Sequence, residues 1–232
     1  MLRAMDLHLV ATELLDALLP QRCVACERFG SALHLACLEA EPAASDEPRC
    51  GQCWRPGVAS PCASCVAAPP AFEALRTPYR FEGAVRRALH EAKFRGVTNV
   101  LPLLGERAAA VVPEAWQPTM VVPVPLHRSR ERERGYNQAA LIGGAVACIL
   151  GVPCEVGVLK RARATVPQAT LRAATRAQNL THAFECAPLP AGARVLLVDD
   201  VTTTGATFEA CARALLGAGA TAVFPLAVAR ED

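Results

Sequence analysis

A chain of 232 residues with 52% hydrophobic content is long enough to bury one full core and to carry a small appendage besides. Its most apolar uncharged run, 139–154, falls short of the ~20 residues a membrane span needs and is broken by Gly143, Gly144, Gly151 and Pro153, so it reads as a buried helix and membrane insertion is not expected. The net charge of +2 hides an uneven distribution: residues 1–65 hold five Arg against eight Asp or Glu, while residues 121–184 hold nine Lys or Arg against three Glu, and that middle section suits a phosphate ester or nucleic acid.

Residues 1–20 are expected to form an N-terminal helix; Asp6, Glu13 and Asp16 spoil the apolar stretch that a secretory leader requires, which points to the cytoplasm. Seven of the eleven cysteines follow within residues 21–65. Cys23 and Cys26 make a CxxC, His34 and Cys37 an HxxC, and Cys50 with Cys53 and Cys62 with Cys65 make two more CxxC pairs. Each such turn can present two ligands to one metal, so the eight residues read as two closed tetrahedral zinc sites. The short gaps favour sequential pairing, with an interleaved pattern left open, and a disulfide framework is the competing reading in an oxidising compartment. A segment this poor in large apolar residues needs such a staple to fold. Cys148, Cys154, Cys186 and Cys211 stand alone in apolar surroundings and read as core. The stretch VAAPPAF after Cys65 is a short stiff connection, which places the small domain at 21–70 and the larger one at 71–232.

In the larger domain β-like runs alternate with helical patterns. TPYRF is the first strand, and Val85, Ala88, Leu89 and Ala92 repeat at the spacing of one helix face over 83–93. His90 and Lys93, on successive turns of that helix, are placed to face a crevice. MVVPV near 120–124 is the next strand. After it come Pro125 and His127, then Arg128, Arg130, Arg132 and Arg134, whose alternation puts all four on one side if the loop is extended, while Glu131 and Glu133 allow a self-paired surface loop instead. A helix is expected over 138–150, a strand EVGVL over 155–159, a strand over 194–198, a helix over 207–216 and a last strand near 221–228, in which Pro225 suits an edge or a bulge. Five strands interleaved with helices make an α/β domain with a mostly parallel sheet covered on both faces.

The most informative stretch is VLLVDDVTTTGAT, 195–207. Four apolar residues read as a parallel central strand, and ligands in such sheets bind beyond the carboxyl ends, where Asp199 and Asp200 fall. Thr202, Thr203, Thr204, Gly205, Ala206 and Thr207 then lead into a helix N-terminus, whose free amides and dipole attract a phosphate. Two acids beside a phosphate site make sense if the ligand also offers hydroxyls, as a ribose 5-phosphate does. An ordinary capped helix, with Asp200 or Thr203 as N-cap, accounts for only part of the pattern.

These thirteen residues resemble the phosphoribosyl pyrophosphate (PRPP) motif of type I phosphoribosyltransferases. Together with ALHEAKFRG (88–96), VPVPLHRSRERERGYNQA (122–139) and LKRARATVPQATLRAATRAQNL (159–180), they make nearly the whole chain similar to the ComF family, also called competence protein F or GntX-like, with a double zinc ribbon before the transferase domain. His34 stands where that family commonly shows a cysteine. The resemblance implies a Mg²⁺-bound PRPP with ribose on Asp199 and Asp200, its 5-phosphate on Thr203–Thr207, and pyrophosphate on an anion loop of Pro125, His127, Arg128, Arg130, Arg132, Arg134, Tyr136 and Asn137, with Arg134 taking part in catalysis. Lys160, Arg161, Arg163, Arg172 and Arg176, with Thr165, Gln168 and Asn179, would form a hood over the ligand. It also implies a role in natural competence and DNA uptake, alongside DNA-uptake proteins. The alternative is a non-catalytic factor that binds single-stranded DNA and keeps the fold as a platform. No residue identifies the acceptor.

Overall fold

The computed structural model describes residues 21–57, 60–161 and 183–232. The expected helix over 1–20 and, from the hood, Arg163, Thr165, Gln168, Arg172, Arg176 and Asn179 lie outside the described residues. Four strands form the main sheet, all parallel, in the order β1 (Tyr79–Arg80), β6 (Ala222–Arg230), β5 (Arg194–Thr202), β2 (Met120–Pro123). Two long central strands carry continuous apolar runs because both of their faces are covered. Side-chain alternation splits the core in two. Leu196, Val198, Leu226 and Val228 pack with α3 (Gly83–Arg95), α4 (Val100–Ala109) and α6 (Gln138–Leu150), while Val195, Leu197, Val223 and Ala227 pack with α7 (Ala206–Gly217). Each fully buried leucine in these layers contributes about 1.5–3 kcal/mol of burial free energy.

The helices expected over 83–93, 138–150 and 207–216 and the strands expected at TPYRF, 120–124, 194–198 and near 221–228 are all present, but the strand expected to stop at Val198 runs four residues further, to Thr202, because it stays paired with β6. Helix α4 was not foreseen from the sequence, although Val100, Leu101, Leu104 and Ala108 recur at helical spacing along its buried face. Helix α6 is buried along one face only; Leu141, Ile149 and Cys148 are exposed, so Cys148 is not a core residue, whereas Cys211 is fully buried. Cys154 and Cys186 are half-buried.

The strand expected at 155–159 is also displaced. A single bridge joins Val121 to Cys154, and the chain then turns at Gly157, whose φ of +96° only glycine adopts without strain. The strand that follows, β3 (Leu159–Arg161), pairs antiparallel with β4 (Phe184–Cys186) in a separate ribbon on the α7 side. Pro225 lies in an interior strand, yet its carbonyl accepts from the Arg76 amide at 3.1 Å, so its missing N–H faces the irregular segment before β1 and not β5. No helix among the described residues is long and apolar enough to cross a membrane.

Residues 21–70 sit against the β1 and β6 side of the sheet. Leu33 and Leu38, the latter on the short helix α1 (Leu35–Glu39), belong to the same buried cluster as Val85, Leu89 and Val228. The Glu41 carboxylate accepts from the Ala84 amide and so satisfies a free N–H at the start of α3, and Ala43 pairs with Tyr79. Arg49, almost wholly enclosed, meets Asp232 at 3.0 Å, and Arg230 donates to the Cys53 carbonyl at 2.9 Å.

Candidate functional site

Parallel strands bring their carboxyl ends to one rim, and the rim over β2 and β5 carries the residues singled out above. Because β5 alternates, its two adjacent acids are presented to opposite faces of the sheet. Asp200 points with Leu196 and Val198 toward α3, where its Oδ2 lies 2.8 Å from Lys93 Nζ. Asp199 points toward the α7 side, and its Oδ1 accepts from the Asp200 amide at 2.8 Å. Burial, reinforced by the neighbouring Asp200 charge, pushes the Asp199 carboxyl up to about 8; the Asp200 amide, Lys93 and Arg161 oppose this without cancelling it. An acid that keeps its proton at neutral pH can donate as well as accept, which suits a sugar hydroxyl. Lys93, foreseen at a crevice, therefore holds one of the acids directly, while His90 is exposed one turn earlier.

Strand β5 runs on through Thr202, which is buried and whose carbonyl accepts from the Glu231 amide at 2.9 Å. The turn is therefore Thr203, Thr204 and Gly205, and α7 begins at Ala206. Gly205 is the N-cap, with φ of +81° and no capping side chain, so neither Asp200 nor Thr203 caps the helix. The Thr204 hydroxyl accepts from the Ala206 amide at 3.4 Å, while the amides of Thr203, Thr204, Gly205 and Thr207 have no partner among the described residues. Thr203, Thr204 and Thr207 are exposed. Unsatisfied amides at the positive end of a twelve-residue helix form a cradle for an anion. Behind it a cavity of about 270 Å³ is walled by Thr204, Gly205, Arg213, Arg230, Cys53 and Cys65.

The segment after β2 is not an extended loop. Arg128–Arg134 form a short helix, α5, so residues two apart point to different sides and the four arginines do not share a face. Arg130 and Arg134, four apart, line a cavity of about 460 Å³ with Lys93, Phe94, Glu133 and Tyr136. Arg128 lines a second cavity of about 180 Å³ with Pro125, Asn137, Lys160 and Arg161, and Arg132 is exposed outside both. Three residues of the predicted anion loop brace it. His127 Nδ1 accepts from the Ser129 amide and caps α5. The Asn137 side chain accepts from the Ala139 amide at 3.0 Å, starting α6, and donates to the Val124 carbonyl at 3.0 Å. The Tyr136 hydroxyl donates to the Ala92 carbonyl, tying this segment to α3. Sequence reasoning missed Phe94, which is exposed beside Lys93; an apolar ring on the polar face of an amphipathic helix is the signal that marks it.

The eight metal-ligand candidates gather as two groups, Cys23, Cys26, His34, Cys37 and Cys50, Cys53, Cys62, Cys65, each with its ligand atoms within 4.8 Å of one another, so the pairing is sequential. Sulfur pairs across them lie at 3.9 Å for Cys23 and Cys37, 3.9 Å for Cys50 and Cys65, and 3.7 Å for Cys53 and Cys62. A tetrahedron with ~2.3 Å metal–sulfur bonds has edges of about 3.8 Å, far longer than a ~2 Å disulfide bond. His34 Nδ1 lies 3.3 Å from Cys26 Sγ, close enough to share an ion. Burial raises the Cys50 and Cys23 thiols, but amide hydrogen bonds outweigh it and bring each to about 6, so part of each set is already thiolate at neutral pH. The geometry and the donor set fit structural zinc.

Residues 137–229 match the family of the phosphoribosyl transferase domain. DNA utilization protein YhgH of Escherichia coli strain K12 is 32% identical over 187 residues, covering 77% of this chain and 82% of that one. Competence protein F of Haemophilus influenzae is 30% identical over 210 residues, covering 84% and 90%. Among solved structures, glutamine phosphoribosylpyrophosphate amidotransferase from B. subtilis is 23% identical with a TM-score of 0.39; the match covers 56% of this chain and 26% of that one. Fold and site define a protein with a phosphoribosyltransferase domain and a Cys-cluster segment before it. The chain belongs to the family of competence protein F and DNA utilization protein YhgH.

Proposed function

We propose that the protein binds PRPP at the carboxyl end of β5 and serves DNA uptake or utilisation, the setting that its relatives' names give. The observation that carries the reading is the run of unpartnered amides at Thr203, Thr204, Gly205 and Thr207, which follows directly on the Asp199–Asp200 pair. The 5-phosphate takes the amides and the threonine hydroxyls. Asp199 and Asp200 take the ribose hydroxyls, the protonated Asp199 as donor or acceptor. In transfer, the C1–O bond to pyrophosphate breaks as a bond from C1 to the acceptor forms, through an oxocarbenium-like state. Lys93, Arg130 and Arg134 neutralise the departing pyrophosphate from their shared cavity. Mg²⁺ would supply further positive charge on the pyrophosphate oxygens. Asp200 is already paired with Lys93 and Asp199 keeps its proton, so neither offers a free carboxylate and the pair fits sugar hydroxyls better than a bare cation.

Zinc at the two Cys clusters would be held by Cys23, Cys26, His34 and Cys37, and by Cys50, Cys53, Cys62 and Cys65, closed sites with no open position for chemistry. The double ribbon at 21–70 then stands as the support of the sheet edge, and 71–232 as the ligand-binding unit.

Calorimetric titration of Mg²⁺ and PRPP tests the proposal. Wild type is expected to bind, and the Asp199→Asn, Asp200→Asn double variant to bind at least tenfold more weakly, on the order of a lost charge-assisted hydrogen bond. Equal affinity in the two proteins, or none in either, overturns it.

A further inference from the structure

The cavity of about 270 Å³ behind the turn of Thr203, Thr204 and Gly205 is walled by both parts of the chain. Thr204, Gly205, Glu209 and Arg213 come from the turn and α7, whereas Arg55 and Ser64 come from the Cys-cluster segment. Arg55 is the second residue after Cys53 and Ser64 lies between Cys62 and Cys65, so each knuckle of the second cluster puts one polar side chain on that wall. The Arg55 carbonyl accepts from the Cys50 amide at 2.9 Å, and Arg49 pairs with Pro56. The turn that gathers Cys50 and Cys53 therefore also fixes Arg55. Charge then singles this residue out. Arg213 meets Glu209 at 2.6 Å, and Arg230, buried at the same cavity, meets Asp232 at 3.0 Å. Arg55 is exposed, donates to the Ser64 hydroxyl at 3.3 Å, and makes no ion pair among the described residues. The cavity thus brings a guanidinium without a counter-charge to a turn whose Thr204 and Gly205 amides have no partner among the described residues. A phosphate group answers both, with the amides on one side and the guanidinium fork on the other.

We infer that Arg55 is a binding residue for the 5-phosphate, so that the Cys-cluster segment completes the phosphoribosyl site as well as supporting the sheet. The inference rests on the proposed phosphoribosyl reading, because the phosphate must sit on the turn that Arg55 approaches. Binding at the two places is then coupled. Metal held by Cys50, Cys53, Cys62 and Cys65 fixes the knuckles that carry Arg55 and Ser64, and a phosphate on the turn holds Arg55 in that position, so each favours the other.

Calorimetric titration of Mg²⁺ and PRPP into the zinc-loaded full chain tests this with wild type, Arg55→Ala and Arg55→Lys. Arg55→Ala is expected to bind about tenfold more weakly, the loss of one hydrogen bond to a charged group. Arg55→Lys should recover part of that loss, since lysine keeps the charge without the fork. Arg55 is exposed, so both variants should hold as much zinc as wild type and melt at the same temperature. The coupling gives a second readout. Saturating PRPP should raise the chelator concentration needed to remove zinc from wild type, and should not do so in Arg55→Ala. Unchanged PRPP affinity in Arg55→Ala, a weakened variant that has also lost zinc, or zinc protection that persists without Arg55 overturns the inference and leaves the phosphoribosyl reading intact. No PRPP binding by wild type overturns both.

Discussion

Asp199 is a carboxyl group at the end of a hydrophobic strand, and the folded protein keeps it protonated up to about pH 8. The unfolded chain releases that proton near the ordinary carboxylate value of ~3.9. Between those limits the folded state binds more protons than the unfolded one, so Asp199 makes stability fall as pH rises from about 4 to about 8 and level off above that. Asparagine mimics the neutral acid. In the ligand-free protein Asp199→Asn should therefore raise the melting temperature, by an amount that is negligible near pH 4 and grows to a plateau above pH 8, each kcal/mol of relief being worth about 2–4 °C in a chain of this size. Melting curves across that pH range check the point; an advantage that shrinks with pH would contradict the buried, proton-holding state. At this scale the acid pair, the threonines and Gly205 were all legible, because a strand-to-helix turn fixes their order within thirteen residues. That the two acids face opposite sides of the sheet follows from strand alternation. That Lys93 meets one of them, from more than a hundred residues away, does not.

Between elements, α4 and α6 approach closely at Gly105. A Cβ on Gly105 would stand 2.7 Å from the Ile142 carbonyl oxygen and 2.9 Å from the Ala145 Cβ, and backbone on the far side cannot swing away. Gly105→Ala should force the helices apart and cost about 1–3 kcal/mol as an overpacked contact, despite the helix-propensity gain of alanine. Urea unfolding would read the loss as a lower midpoint at unchanged slope. The elements themselves show how far pattern reading reaches. Helix α6 was legible over its full length from Gln138 to Leu150, since Asn137 caps it and Gly151 ends it in the left-handed conformation. Helix α5 was read as an extended run because alternating Arg and Glu has no apolar face to reveal a helical period; its caps, His127 and Gly135, are its local signals. The strand expected over 155–159 failed at Gly157, where an apolar run turns instead of continuing.

At the scale of the whole molecule, the Cys-cluster segment and the sheet are not independent. Leu33 and Leu38 share a buried cluster with α3 and β6, Glu41 satisfies the start of α3, and Arg49 and Arg230 both meet Asp232. Metal analysis is expected to give two zinc ions per chain, and chelation should lower the melting temperature of the whole chain in a single transition, because the lost ribbons uncover the sheet's own core. A chelated protein that keeps an unshifted transition for the sheet would show the two parts to be separable. The sequence by itself determined the ligand sets, the parallel strands and the strand-end acids with their loop, since each depends on spacing within a few residues. Only the tertiary structure decided which arginines of α5 share a cavity, that Lys93 holds Asp200, that Phe94 lines the same cavity as Lys93, and that the Cys-cluster segment packs on the sheet. Those contacts join residues far apart in the chain, and they exist only once burial of both sheet faces has fixed where each helix lies.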